Sequence, residues 1–188
     1  MRDGAQKILL ARACAVGLTV IGLACPAPSR AQERPPRVFI DAGACPFECC
    51  SYREWFADRD ITLWDRPGGK RVVAHLRRDE RVEGLTGEVH SVPLRVRAGS
   101  DLPEQGIKQG DIFYVLHYSG EGVWKIWHHG RLAELEIVDE TATIATPPAR
   151  TWPLGVKSTW WVQVRTELGV AGWTISKRNF RNQDQCGG

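Results

Sequence analysis

Trp160-Trp161-Val162-Gln163-Val164-Arg165-Thr166-Glu167-Leu168-Gly169-Val170-Ala171-Gly172-Trp173-Thr174-Ile175 is the stretch that decides the fold. Trp160, Val162 and Val164 alternate with Trp161, Gln163 and Arg165, the period-2 pattern of a strand with one buried face. Glu167-Leu168-Gly169 reads as a turn in which Gly169 takes positive φ, and Val170 to Ile175 returns as a second strand. A lone hairpin is marginal in water, so the rest of the chain must supply further strands to cover its apolar face.

It does so in short pieces. Val38-Phe39-Ile40 is an edge-strand candidate, and Asp60 to Trp64 alternates. Asp65-Arg66-Pro67-Gly68-Gly69-Lys70 is a turn-rich loop, followed by the apolar Val72 to Leu76 and the alternating Val82 to Val89. Val92 to Arg97, Asp111 to Tyr118, Val123 to Trp127 and Arg131 to Leu135 are further strands. Ser119-Gly120-Glu121-Gly122 and His128-His129-Gly130 are the turns between the last three. No long 3.6-residue period interrupts them, so the class is all-β.

The first residues are of another kind. Arg2 and Lys7 precede an apolar run from Ala13 to Cys25, then the small-residue exit Pro26-Ala27-Pro28-Ser29-Arg30-Ala31. That order reads as a secretory signal peptide cut after Ala31, and the run is short of the roughly 20 residues of a membrane span. Leu23-Ala24-Cys25 offers an alternative lipid attachment at Cys25, although Gly22 stands where a lipobox usually has leucine. The leader carries four basic residues against Asp3, a net of +3, which equals the net charge of the whole chain (25 basic, 22 acidic). The exported part is therefore neutral and shows no basic run interleaved with aromatics, which argues against nucleic acid. A periplasmic or secreted location follows.

Export bears on the cysteines. Cys45, Cys49, Cys50 and Cys186 remain after the leader, an even set that favours disulfides. Pairing the adjacent Cys49 and Cys50 forces a strained ring. Two connectivities stay open: Cys45–Cys49 with Cys50–Cys186, or Cys45–Cys50 with Cys49–Cys186. Zinc is disfavoured because Cys-x3-Cys-Cys lacks the Cys-x2-Cys knuckle, and a thiol redox role because Cys-x-x-Cys is absent. Tyr52 and Trp55, beside this cluster, are expected to pack as a flap over a barrel end rather than remain exposed.

Candidate catalytic groups are sparse. His128 and His129 would point to opposite faces of a strand and could share an ion only in a turn; His75 and His117 sit in apolar strands. No Gly-x-Ser-x-Gly is present, and the carboxylates are scattered at turns and strand ends. Neither a cofactor nor a metal is implied. What remains is aromatic surface: all eight tryptophans follow the leader, and pairs such as Trp124 with Trp127 and Trp160 with Trp161 are an odd number apart. Members of each pair project to opposite faces, so some must face solvent or a seam between layers.

The order Ile61-Thr62-Leu63-Trp64-Asp65-Arg66-Pro67-Gly68-Gly69, then Val72 to Leu76, then Arg81 to Leu85, resembles the start of a bacterial SH3-like domain. The closing Trp-x-x-Val-Arg…Gly-Trp hairpin of that family stands far downstream, as Trp161 to Arg165 with Gly172-Trp173. Between them a related unit, in which Trp124 to Leu135 echoes Trp161 to Ile175, resembles a second copy. The resemblance implies two small SH3-like barrels. The first is formed by 58–91 plus 151–175 and the second, nested or strand-sharing, by 92–145. They are flanked by a linker and cysteine-rich segment at 32–57 and a coil tail at 176–188 held by Cys186. Two barrels in series, the first closed by Val89 to Arg97, is the alternative. Thr146-Pro147-Pro148-Ala149-Arg150 is the connector after the second unit.

The resemblance also implies a function: a non-enzymatic binding or scaffolding module of the cell envelope that takes peptidoglycan or an extended peptide, with no membrane span. Its expected ligand-binding residues are Trp64, Tyr118, Trp124, Trp127, Trp161 and Trp173. The rival reading of these tryptophans is that they fill the interface between the barrels. The rival functions are a thiol-dependent accessory enzyme or redox factor using the cysteines, and a structural subunit binding a periplasmic protein.

Overall fold

The computed structural model describes residues 33–137, 155–176 and 179–186. The expected leader 1–31, the alternative lipid site at Cys25 and the connector 146–150 lie outside the described residues. The described chain is all-β, with a single short 3-10 turn at Pro103–Gln105. Its strands are β1 Phe39–Ala42, β2 Glu54–Ala57, β3 Ile61–Trp64, β4 Val72–Leu76, β5 Arg81–Val92, β6 Leu94–Arg97, β7 Ile112–Gly120, β8 Val123–His128, β9 Arg131–Glu136, β10 Lys157–Thr166, β11 Ala171–Ile175 and β12 Phe180–Arg181.

The hairpin at Trp160 to Ile175 is β10–β11, in register from Trp161 opposite Ile175 to Arg165 opposite Ala171. Gly169 takes φ +80°, and the Thr166 hydroxyl accepts from the Val170 N–H at 3.2 Å, which closes the turn. These strands join a curled half-barrel sheet in the order β12-β2-β5-β10-β11-β3-β4, with β1 also on β5. The 12-residue β5 is its spine. One side of β5 pairs with β10 along its whole length; the other takes β2 at its start and β1 at its end.

Strands β6-β7-β8-β9 form a second sheet, a meander lying in sequence between β5 and β10. Leu94–Arg97 thus pairs with β7 in this sheet. Its hairpins turn through Glu121-Gly122 (φ +50° and +80°) and His129-Gly130 (φ +46° and +81°). Positive φ at both central residues is the type I′ geometry that matches strand twist.

Each sheet buries its own core. Trp55, Leu63, Leu76, Val82, Val162, Val164 and Phe180 fill the first; Phe113, Val115, Trp124, Ile126, Leu135 and Ile137 fill the second. Fully burying an aliphatic or phenyl side chain is worth about 1.5–3 kcal/mol. The sheets meet at β1: the Phe39 ring stands edge-on to Trp127 at 6.5 Å, and the Asp41 carboxylate reaches His117 and Lys125.

Two expectations are corrected. Glu54–Ala57 is not part of a covering flap but a strand, with Trp55 and Ala57 fully buried and Glu54 exposed. Residues 176–188 are not simply coil: Phe180, 5% exposed, pairs with Ala57, and Asp184 bridges to Cys50. Both are too short to show a period, and long-range contacts make them strands. The disulfides are Cys45–Cys50 and Cys49–Cys186, with Cα separations of 5.5 and 5.6 Å. The second ties the tail to the cysteine-rich segment. Above it Trp55 packs against Tyr52, Trp160 and Phe180, with centroids 5.6, 6.4 and 5.5 Å away. Gly84 and Gly87 leave the room: a Cβ on Gly84 would lie 2.9 Å from the Trp55 ring, and one on Gly87 2.5 Å from Trp160 Nε1.

Candidate binding face

The outer face of the first sheet is set by parity. Residues directly opposite one another in a ladder share a face. Trp161 stands opposite Glu88 and Ile175, Gln163 opposite Thr86 and Trp173, and Trp173 opposite Trp64. The inward partners Val162 and Val164 are fully buried, so Trp161, Trp173 and Trp64 point away from the core and are each half-buried. Ile175 (37% exposed) and Val72 (43%), opposite Trp64, extend the apolar band toward β4. At the other end the His90 ring lies 6.4 Å from that of Trp161, with His90 Nε2 2.8 Å from Glu88 Oε2.

The band is grooved. A hollow of about 270 Å³ is lined by Asp60, Thr62, Trp64, Trp161, Ile175 and Asn179. An adjoining hollow of about 510 Å³ shares Asp60, Ile61 and Thr62 and continues past His75 and Leu76 to Arg77. Walls that mix apolar rings and aliphatic groups with Asp60, Thr62, His75, Arg77 and Asn179 suit a ligand that presents both kinds of surface. Asp60, Thr62 and Asn179 had no signal in the sequence, because the band is assembled from strands far apart in the chain.

The expected ligand-binding residues therefore separate. Trp64, Trp161 and Trp173 come together on one face. Trp124 is corrected: it is 2% exposed in the second core, with the Tyr118 ring edge-on at 5.4 Å. The Tyr118 hydroxyl accepts from the Gly122 N–H at 3.0 Å, which fixes that ring over the β7–β8 turn. Trp127 packs on Phe39 in the seam between the sheets. The interface-filling reading thus holds for Trp127 and not for the outer three, because their strand faces have no layer over them among the described residues.

The hollow at the start of β5 is less apt for a ligand. Arg81 bonds Glu167 at 2.7 Å and Glu54 at 2.9 Å, and Arg165 bonds Glu83 at 2.8 Å, so the charges around one hollow satisfy one another. The hydrogen bond that Arg81 donates to Glu167, then the one it donates to Glu54, raises its pKa further. His128 ends β8 and His129 opens the β8–β9 turn, with ring centroids 4.2 Å apart. Loss of water pushes the His128 pKa down, His129 adds to this, and Asp111 opposes it. One set of three metal-ligating side chains converges among the described residues, Cys49, Asp184 and Cys186, and its two sulfurs are joined in a disulfide. Tyr52 keeps its proton: burial pushes its pKa up to about 12, and its hydroxyl donates to the Ala44 carbonyl.

Among the described residues no helix is long and apolar enough to cross a membrane. Comparison with known proteins finds no family model, no curated protein and no solved structure that matches this chain.

Proposed function

We propose that this is an exported, non-enzymatic SH3-like binding or scaffolding module of the cell envelope. Its ligand, peptidoglycan or an extended peptide, lies along the outer face of the first sheet. One observation carries the reading: Trp64, Trp161 and Trp173 share one sheet face with no covering layer among the described residues, while Trp55 and Trp124 are buried. Half-buried aromatic side chains on a rigid sheet supply contact area at low entropic cost. The residues that carry the SH3-like resemblance support the reading too, since Ile61–Trp64, Val72–Leu76, the start of β5 and the β10–β11 hairpin share one sheet. All four cysteines of the thiol-enzyme alternative are in bridges.

The test is co-sedimentation of the exported protein with intact cell-wall sacculi, beside Trp161→Ala and Trp173→Ala. The parent should sediment, and each variant, folded by circular dichroism, should bind about tenfold more weakly. A parent that stays in the supernatant removes peptidoglycan and leaves the protein-partner reading; full binding by both variants removes this face.

A further inference from the structure

Strand β4 closes one side of the first sheet. It pairs with β3, and its other edge carries no strand among the described residues. The strand reads Val-Val-Ala-His-Leu, rich in β-branched residues and free of charge. Open edges are ordinarily blunted by charges or prolines within the strand, by bulges or by a covering segment. Here the register shift that sets Trp64 opposite Val72 and Leu63 opposite Ala74 disturbs only the first part, and Ala74 to Leu76 runs regularly beside Leu63 to Ile61.

The charge lies at both ends of the strand instead. From Arg66 to Arg78 the chain holds five basic residues, Arg66, Lys70, Arg71, Arg77 and Arg78, and no acidic one. Arg71 reaches Asp65 at 3.4 Å and Arg78 reaches Asp79 at 3.9 Å. Arg66, Lys70 and Arg77 have no carboxylate partner among the described residues. Asp65 and Asp79-Glu80 bound this stretch, so the local excess is that of Arg66, Lys70 and Arg77. It rules against a second copy as the occupant: antiparallel pairing of two β4 strands sets Lys70 and Arg71 against Arg77 and Arg78, and parallel pairing sets each cation against itself.

We propose that β4 is a docking edge for an extended, acidic peptide segment of a partner protein. The segment adds as a strand beside Ala74 to Leu76, and its carboxylates meet Lys70 and Arg71 at one end and Arg77 and Arg78 at the other. Main-chain hydrogen bonds supply affinity, and the flanking cations choose the partner. The edge works without the tryptophans of the outer face, so it goes beyond the reading above.

The test uses isotope-labelled protein purified from cells expressing the full chain. It is titrated with a nine-residue peptide of alternating valine and threonine that carries two glutamates at each end. A peptide with the same centre and lysine ends is the control. Amide resonances of Val72 to Leu76 should shift and exchange more slowly with the glutamate peptide only. Lys70→Glu with Arg77→Glu and Arg78→Glu, all surface changes, should weaken that peptide about tenfold and favour the lysine one. Any of these results would overturn the proposal: no binding, binding indifferent to the ends of the peptide, indole shifts at Trp161 and Trp173 with silent β4 amides, or self-association through β4. In the third case the outer face survives as the site. A short DNA duplex that competes without moving the β4 amides would also overturn it, in favour of a polyanion patch.

Discussion

His117 Nε2 donates to Asp41 Oδ2 across 2.9 Å, from the second sheet to the first. The other ring nitrogen, Nδ1, lies 2.8 Å from the Tyr118 carbonyl oxygen, so both nitrogens face acceptors, and Lys125 Nζ reaches the same Asp41 oxygen at 2.6 Å. His117 is 3% exposed. One carboxylate thus serves two donors of the opposite sheet, and removing it strands both. Asp41→Ala should lower stability by about 1–3 kcal/mol in urea unfolding. A change under about 0.5 kcal/mol, the ordinary scale of a surface substitution, would show that the contact is idle.

The two hairpin tryptophans should respond differently to truncation. Trp124→Ala opens the second core and should cost about 3–5 kcal/mol. Trp161→Ala removes an outward ring and should cost less than about 1.5 kcal/mol while weakening sacculus binding. Equal losses of stability would mean that the outer face is a packed surface.

Adding a methyl at Gly84 should be harmful although the backbone there is ordinary strand. The new Cβ meets the Trp55 ring, which is fully buried and held by its Nε1–H donating to the Ser51 carbonyl at 2.9 Å. Gly84→Ala should cost about 1–3 kcal/mol and shift the indole fluorescence. An unchanged midpoint would show that Trp55 can yield.

Stability should decline below neutrality through His128. Its folded pKa is lowered, chiefly by loss of water, so the unfolded chain binds the proton more readily. The unfolded state therefore gains as pH falls through about 6.5, and the loss ends once pH is below the folded value. His128→Asn should flatten this part of a stability-versus-pH curve from urea midpoints at pH 8 to 5; an identical slope would assign it to other groups.

The Cys49–Cys186 bridge spans 137 residues, and a loop of that size is worth about 5 kcal/mol on the chain-entropy account. Replacing both cysteines with serine should remove much of that and release β12, read as faster hydrogen exchange at Phe180 and Arg181. The native parent should show no free thiol. A reactive thiol in it would revive the enzyme reading.

The hairpins were legible because each announces itself locally: Trp160 to Ile175 carries its period and its turn within one stretch, and Gly169 takes the positive φ its place demands. The disulfide pairing was open, since Cys49 and Cys50 are neighbours and only the fold decides which one faces Cys186. Glu54–Ala57 and Phe180–Arg181 escaped notice because strands of four and two residues hold no period. Trp127 and Trp161 look alike in sequence, each in an alternating strand; β1 crossing over one of them makes it a seam residue, and that is a tertiary fact.

The placement of the second sheet between β5 and β10 sets an order of events in folding. The spine pairing of the first sheet joins Arg81–Val92 to Lys157–Thr166, so it must wait for the whole intervening chain to be synthesised and gathered. The β7–β8 and β8–β9 hairpins, by contrast, need only their own two-residue turns. Local hairpins close in microseconds, and distant pairings are slower because loop closure precedes any reward. The inner meander should therefore form first and draw Val92 toward Lys157. A substitution that loosens the His129-Gly130 turn would then slow the completion of a half-barrel to which that turn does not belong.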